Sequence, residues 1–149
     1  MDQSFFVVDA FTAEPFRGNP ASVVPLSHWP SDSWLQNVAM EMNHAETAFF
    51  VPEGSGYRLR WFTPAVEVNL CGHATLATAL VMRDRLGLWK GKVSFETRSG
   101  TLVVSEDGER LALDEPHRGE RWWRTVDERV TSVAAKSRRW TLCASQATK

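Results

Sequence analysis

The chain is poor in cysteine, nearly neutral and without a long apolar run, and each shortage removes a class of function. Two cysteines, Cys71 and Cys143, cannot build a disulfide framework, and no CxxC or Cys/His spacing marks a zinc module, so no structural metal is expected. A formal net charge of −1 supplies no electrostatic reason to bind nucleic acid or an anionic membrane. The longest apolar stretches, such as Thr75 to Met82, are far shorter than the roughly 20 residues that span a bilayer. Met1-Asp2-Gln3-Ser4-Phe5 has no basic region and no small-residue cleavage site, so no secretory signal is read and a cytoplasmic location is the expectation. GxGxxG, GxxxxGK[ST], GxSxG and HExxH are all missing, and with them the parts needed for dinucleotide, nucleoside-triphosphate, hydrolase-elbow and zincin chemistry. Acid/base chemistry on a small neutral or weakly charged ligand remains.

What is present suits one globular domain: 149 residues, 43% of them hydrophobic and 23% charged. Phe5 to Phe11 and Ala21 to Pro25 are rich in strand formers, separated by a connection holding Pro15, Gly18, Asn19 and Pro20. Ser31 or Asp32 can cap a helix in which Trp34, Leu35, Val38 and Met42 recur at helical spacing up to Asn43. Glu46 to Val51 opens a strand, Gly54 and Gly56 punctuate it, and Tyr57 to Thr63 alternates apolar residues against Arg58 and Arg60, predicting a half-exposed pair. A second helix is predicted over 72–86, ended by Gly87; it is the most apolar and should lie centrally against the sheet. Lys92 to Arg98, Thr101 to Ser105 and Arg110 to Asp114 read as a meander with turns at Ser99-Gly100 and Asp107-Gly108. The pattern predicts an α+β domain, a curved and mostly antiparallel sheet wrapped around one central helix.

From Glu115 the texture changes: eight of the remaining residues are Lys or Arg, Trp122, Trp123 and Trp140 appear, and turn signals stop. The regular domain is therefore read as 1–114, with 115–149 an atypical tail. Thr125-Val126-Asp127-Glu128 has capping-box spacing, and Val126, Val130, Val133 and Ala134 share a face, which would suit a short helix.

Four features could carry chemistry. Glu46 begins a strand whose next residues, Ala48 to Val51, are apolar, a setting in which a partly desolvated carboxyl both accepts and returns protons. Gly72-His73-Ala74-Thr75 opens the apolar helix, where free backbone N–H groups can hold a carboxylate, Gly72 permits close approach and His73 could pass a proton. Cys71 precedes that helix, where the dipole favours a thiolate that could act as a base. Arg17-Gly18-Asn19-Pro20 is a tight loop whose Asn19 could orient a ligand. Taken singly, each has a plainer reading: an exposed Glu at a strand start, a His near a cap, a packed Cys, a turn.

In combination the features are more specific. Phe6-Val7-Val8-Asp9-Ala10-Phe11-Thr12, Phe16-Arg17-Gly18-Asn19-Pro20-Ala21, Asn43-His44-Ala45-Glu46-Thr47-Ala48-Phe49, Arg60-Trp61-Phe62-Thr63-Pro64 and Leu70-Cys71-Gly72-His73-Ala74-Thr75 occur in that order, and the set resembles the phenazine-biosynthesis PhzF-like family over about residues 5 to 114. The resemblance implies a diaminopimelate-epimerase-like fold of two similar halves around a cleft, of which this chain supplies the N-terminal one. It implies enzymes that need no cofactor, tend to form homodimers, act on small carboxylate-bearing molecules and include the isomerase of dihydro-hydroxyanthranilate in phenazine synthesis. Glu46 matches the family's proton-shuttling glutamate; Gly72 and His73 match residues that hold the substrate or assist transfer, with Asn19 and Ala74 beside them. No nucleic-acid or membrane partner is implied.

The chain also departs from that pattern. Family members run to about twice this length, and nothing after Asp114 resembles their second half, so a frameshifted or truncated start of that half is the expectation for 115–149. Two other readings stay open: an amino-acid epimerase or racemase with Cys71 as one of two bases, and a non-catalytic half-domain that associates through its uncovered cleft face.

Overall fold

Strand and helix starts fall where turn chemistry places them. The computed structural model describes residues 2–11, 17–108, 110–114 and 138–141. In chain order the elements are β1 (Asp2–Ala10), β2 (Asn19–Pro25), α1 (Asp32–Met42), β3 (Glu46–Glu53), β4 (Gly56–Phe62), β5 (Glu67–Val68), α2 (Gly72–Asp84), β6 (Lys92–Thr97), β7 (Gly100–Asp107), β8 (Arg110–Asp114) and β9 (Arg138–Thr141). Strands run β8-β7-β6-β4-β3-β2-β1-β9 in one sheet, with β5 added to β4. Among the described residues only β2–β3 and β4–β6 pair in parallel. The sheet is thus mostly antiparallel, as the meander pattern predicts. β9 lies within the stretch set apart in the sequence and pairs with β1; the helix suggested near residue 125 lies outside the described residues.

α2 decides the shape. Ala74 through Met82 are all buried, an unbroken run that no amphipathic helix shows. The helix packs on β1, β2 and β3 and also on β8 at the far end of the strand order, which one 13-residue helix can do only if the sheet curls around it. Phe6, Val8, Ala21, Val23, Ala48, Phe50, Leu59 and Trp61 line this concave face. Burying each large side chain is worth about 1.5–3 kcal/mol. α2 ends two residues short of the predicted boundary, because Arg85 caps it and the chain wraps back through Leu88 N to Met82 O (2.8 Å), with Gly87 at φ +62°.

α1 covers the opposite face, burying Leu35 and Ala39 against Phe5, Val24, Phe49 and Phe62. Cover on both sides explains why β3 is buried from Thr47 to Val51, more deeply than a half-exposed pair would be. Arg60 on β4 ties β5 and the start of α1 to the sheet. Its Nε and Nη2 donate to Glu67 at 2.7 and 2.8 Å, and Nη1 donates to Asp32 at 2.9 Å. Among the described residues no helix is long and apolar enough to cross a membrane.

Candidate active site

The register of three elements brings the polar residues to one end of the concave core. β2 and β3 run in parallel with Ala21 opposite Glu46, and Ala10 of β1 faces Asn19 of β2. Side chains alternate across a strand, so Asn19 precedes buried Ala21 and Val23 on the α2 side, and Glu46 precedes Ala48 and Phe50 there. Each is the polar head of an otherwise apolar row. Asn19 and Pro20 open β2; the tight loop expected for 17–20 is the approach to a strand.

The first turn of α2 meets these two residues. Cys71 sits at its N-cap with no side-chain capping bond, and the first turn holds no acidic residue. Gly72 is half-buried and Ala74 fully buried against the core. His73 points to the strands: Nε2 lies 3.0 Å from Glu46 Oε2 and 3.1 Å from Asn19 Nδ2, while Nδ1 lies 3.3 Å from Cys71 Sγ. All four predicted side chains thus converge.

The proton positions follow from the partners. With Asn19 Nδ2 donating, His73 Nε2 accepts, and the ring proton sits on Nδ1 facing the sulfur. Burial holds His73 below its ordinary pKa, the neighbouring Glu46 opposing that shift, so the ring is neutral at neutral pH. Glu46 Oε2 is itself buried, with no hydrogen-bond donor directed at it despite the 3.0 Å contact. A carboxylate oxygen and an unprotonated ring nitrogen therefore stand in contact, close enough for a proton to pass between them. Such a pair can hold a proton and give it up.

Cys71 differs from the dipole-based expectation of a thiolate. Burial pushes its thiol up to about 12; Glu46 adds to the shift, and the backbone amides of Ala74 and His73 only partly offset it. The buried hydroxyls of Thr75 and Thr78 bond back to Cys71 O and Ala74 O, both at 2.7 Å, so they are spent within the helix.

Two contributions were not singled out in the sequence. Phe11 ends β1 at φ +65°, is 48% exposed, and places its ring 6.1 Å from that of His73. A non-glycine residue in the left-handed region carries strain that the surroundings must sustain. Phe11 stood inside the first motif, but no spacing in the sequence sets its ring beside His73. On the other face of β2, Ser22 Oγ lies 2.6 Å from His44 Nδ1, two residues before Glu46. Burial lowers the His44 pKa and the charge of Asp9 opposes the shift. This bond pins the turn that delivers Glu46. His44 stood inside the motif, but its partner on β2 is 22 residues away.

Known proteins share this arrangement of chain. The sequence matches the PhzC-PhzF family, described as phenazine biosynthesis-like protein, over residues 8–141. It is 53% identical over 116 residues to an uncharacterised isomerase of Pseudomonas aeruginosa, covering 78% of this chain and 45% of that protein. It is 42% identical over 124 residues to the human phenazine biosynthesis-like domain-containing protein, covering 78% of this chain and 43% of that one. Among solved structures, a PhzF-family protein of Enterococcus faecalis superposes with TM-score 0.72 at 46% identity over 74% of this chain and 43% of its own. A probable proline racemase of Agrobacterium radiobacter superposes with TM-score 0.56 at 10% identity over 75% of this chain and 41% of its own, which extends the fold alone to the racemases. The chain spans somewhat under half the length of the curated relatives it matches. On a family match that runs through most of its length, the chain belongs to the PhzC-PhzF family of phenazine biosynthesis-like proteins.

Proposed function

We propose that this chain carries one wall of a cofactor-independent isomerase site, with Glu46 as its acid/base. The observation that carries the reading is the Glu46–His73 contact of 3.0 Å at the uncapped start of α2, which sets a carboxyl against an imidazole. The family and the isomerase named among its relatives support the reaction class.

In this reading a substrate carboxylate binds the backbone N–H groups at Gly72, His73 and Ala74, where the helix dipole favours negative charge. That anchor sets a carbon, acidified by an adjacent unsaturated system, within reach of Glu46. Glu46 removes its proton and returns it at another carbon. Asn19 holds the neutral His73 ring beside the carboxyl, so the proton has a second resting place during transfer. Fixing both partners in reacting geometry supplies part of the rate, and positioned proton transfer typically contributes about 10²–10⁴-fold. Residues of a second half, or of a second copy in a homodimer, would close the opposite wall.

Deuterium incorporation from D2O into small cyclic and amino acids tests this. The wild-type chain is expected to exchange at least about 100-fold faster than Glu46→Gln, the low end for loss of an acid/base group. Equal incorporation by the two, at any level, removes Glu46 from the chemistry.

A further inference from the structure

The group that holds the proton is also a set of metal donors. One ligand atom each from Glu46, Cys71 and His73 lies within 4.8 Å of the other two. Around a single zinc ion, bonds of about 2.0–2.3 Å leave neighbouring donors roughly 3.3–3.8 Å apart, so binding draws the three together and swings Glu46 from Nε2 to the side of the ring that meets the sulfur. Glu46 Oε2 is a buried acceptor without a hydrogen-bond partner, which leaves it open to an ion as well as to a proton.

The geometry points to a three-residue Zn2+ site formed by Glu46, Cys71 and His73 that competes with substrate for the cleft. His73 Nδ1, the nitrogen facing the sulfur, takes the ion; Nε2–H is then left to Asn19, whose amide turns so that Oδ1 accepts. The thiol proton leaves to solvent as the S–Zn bond forms, because a coordinating thiol is deprotonated by the metal itself. One thiolate and one carboxylate cancel the double charge of the ion, so the centre is neutral in a largely buried setting. A mixed sulfur, nitrogen and oxygen set selects zinc or cobalt over magnesium or calcium. The inhibitory consequence rests on the isomerase reading, since bound metal would occupy the acceptor that Glu46 needs; the site itself does not.

Cobalt(II) reports on the site without any substrate. The reduced full chain, carrying Cys143→Ser so that one thiol remains, is titrated with Co2+. A near-ultraviolet thiolate-to-cobalt charge-transfer band is expected to saturate at one equivalent, to bleach with Zn2+ and to ignore Mg2+. Cys71→Ala should lose the band, and Asn19→Ala should weaken binding about 10–100-fold by freeing the ring. Because Cys71→Ala alters a buried helix start, His73→Ala, at the edge of the core, serves as the second variant, with far-ultraviolet circular dichroism on each; it should bind at least tenfold more weakly. Absence of the band in the parent chain, or undiminished affinity in a folded His73→Ala, overturns the site. Deuterium exchange separates the two proposals: exchange without cobalt binding sinks the metal site alone, and cobalt binding without exchange sinks the isomerase reading alone.

Discussion

The two helices of this chain are held in opposite ways. α1 packs one stripe, Leu35 and Ala39, and its ends are finished by local chemistry: Ser31 Oγ accepts from Trp34 N at 3.3 Å, Asp32 stands in the first turn, and Asn43 closes the helix at φ +51° with its N–H on Ala39 O. α2 is buried from Ala74 to Met82, yet its start has neither a side-chain cap nor an acidic residue. A helix with little tertiary burial depends on its caps, each worth about 1 kcal/mol, whereas one packed inside a curled sheet is stable without them. The lesson is that surplus burial frees a helix end. At α2 that end faces Glu46 and Asn19 instead of its own cap, and the proposed site is built on it.

The contrast can be broken at several strengths. The largest effect is expected in the core: Met82→Ala, fully buried on α2, should cost about 2–5 kcal/mol in urea unfolding. Met40→Ala, 54% exposed on α1, should stay within about 0.5 kcal/mol. Similar losses from both would show that α2 is not the packed element. Next comes the cap. Ser31→Ala should destabilise by about 1 kcal/mol, and no loss of midpoint would mean that α1, too, is held by packing alone.

The smallest expected effect is on pH dependence. His44 and His73 are both lowered from the ordinary value of 6.5, with burial the leading cause in each. The unfolded chain then binds more protons than the folded one between the two values. Their contribution to stability is present in full above about pH 6.5 and is lost as the pH falls through the depressed folded values. Stability measured from pH 7.5 down to 5 should decline, and His44→Gln should decline less steeply. A profile unchanged by that substitution would remove His44 from the account.

Much of this was legible because it was local. Helical spacing and a Ser-Asp start placed α1, the structure choosing Ser31 over Asp32 as its cap, and the Ser99-Gly100 and Asp107-Gly108 turns placed the meander. The apolar run of α2 identified the central helix. Contacts that depend on register were not legible: residues 19, 46 and 73 meet only because β2 and β3 pair in parallel with Ala21 opposite Glu46, and no linear spacing encodes that pairing. The same holds for Ser22 with His44. Cys71 shows the limit of dipole reasoning, since its position favours a thiolate while its burial, visible only in the fold, outweighs the dipole.

In the proposed reading the start of α2 serves chemistry while the start of α1 serves stability, and one paired measurement tests that division. Deuterium exchange and urea midpoints are taken together for wild type, Glu46→Gln and Ser31→Ala, at a temperature where all three are folded. The account predicts that Glu46→Gln loses exchange by at least about 100-fold with a midpoint near wild type, because Glu46 Oε2 receives no hydrogen bond in the fold. Ser31→Ala should lose about 1 kcal/mol of stability with exchange unchanged. Exchange that survives Glu46→Gln, or falls equally in both variants, would contradict it.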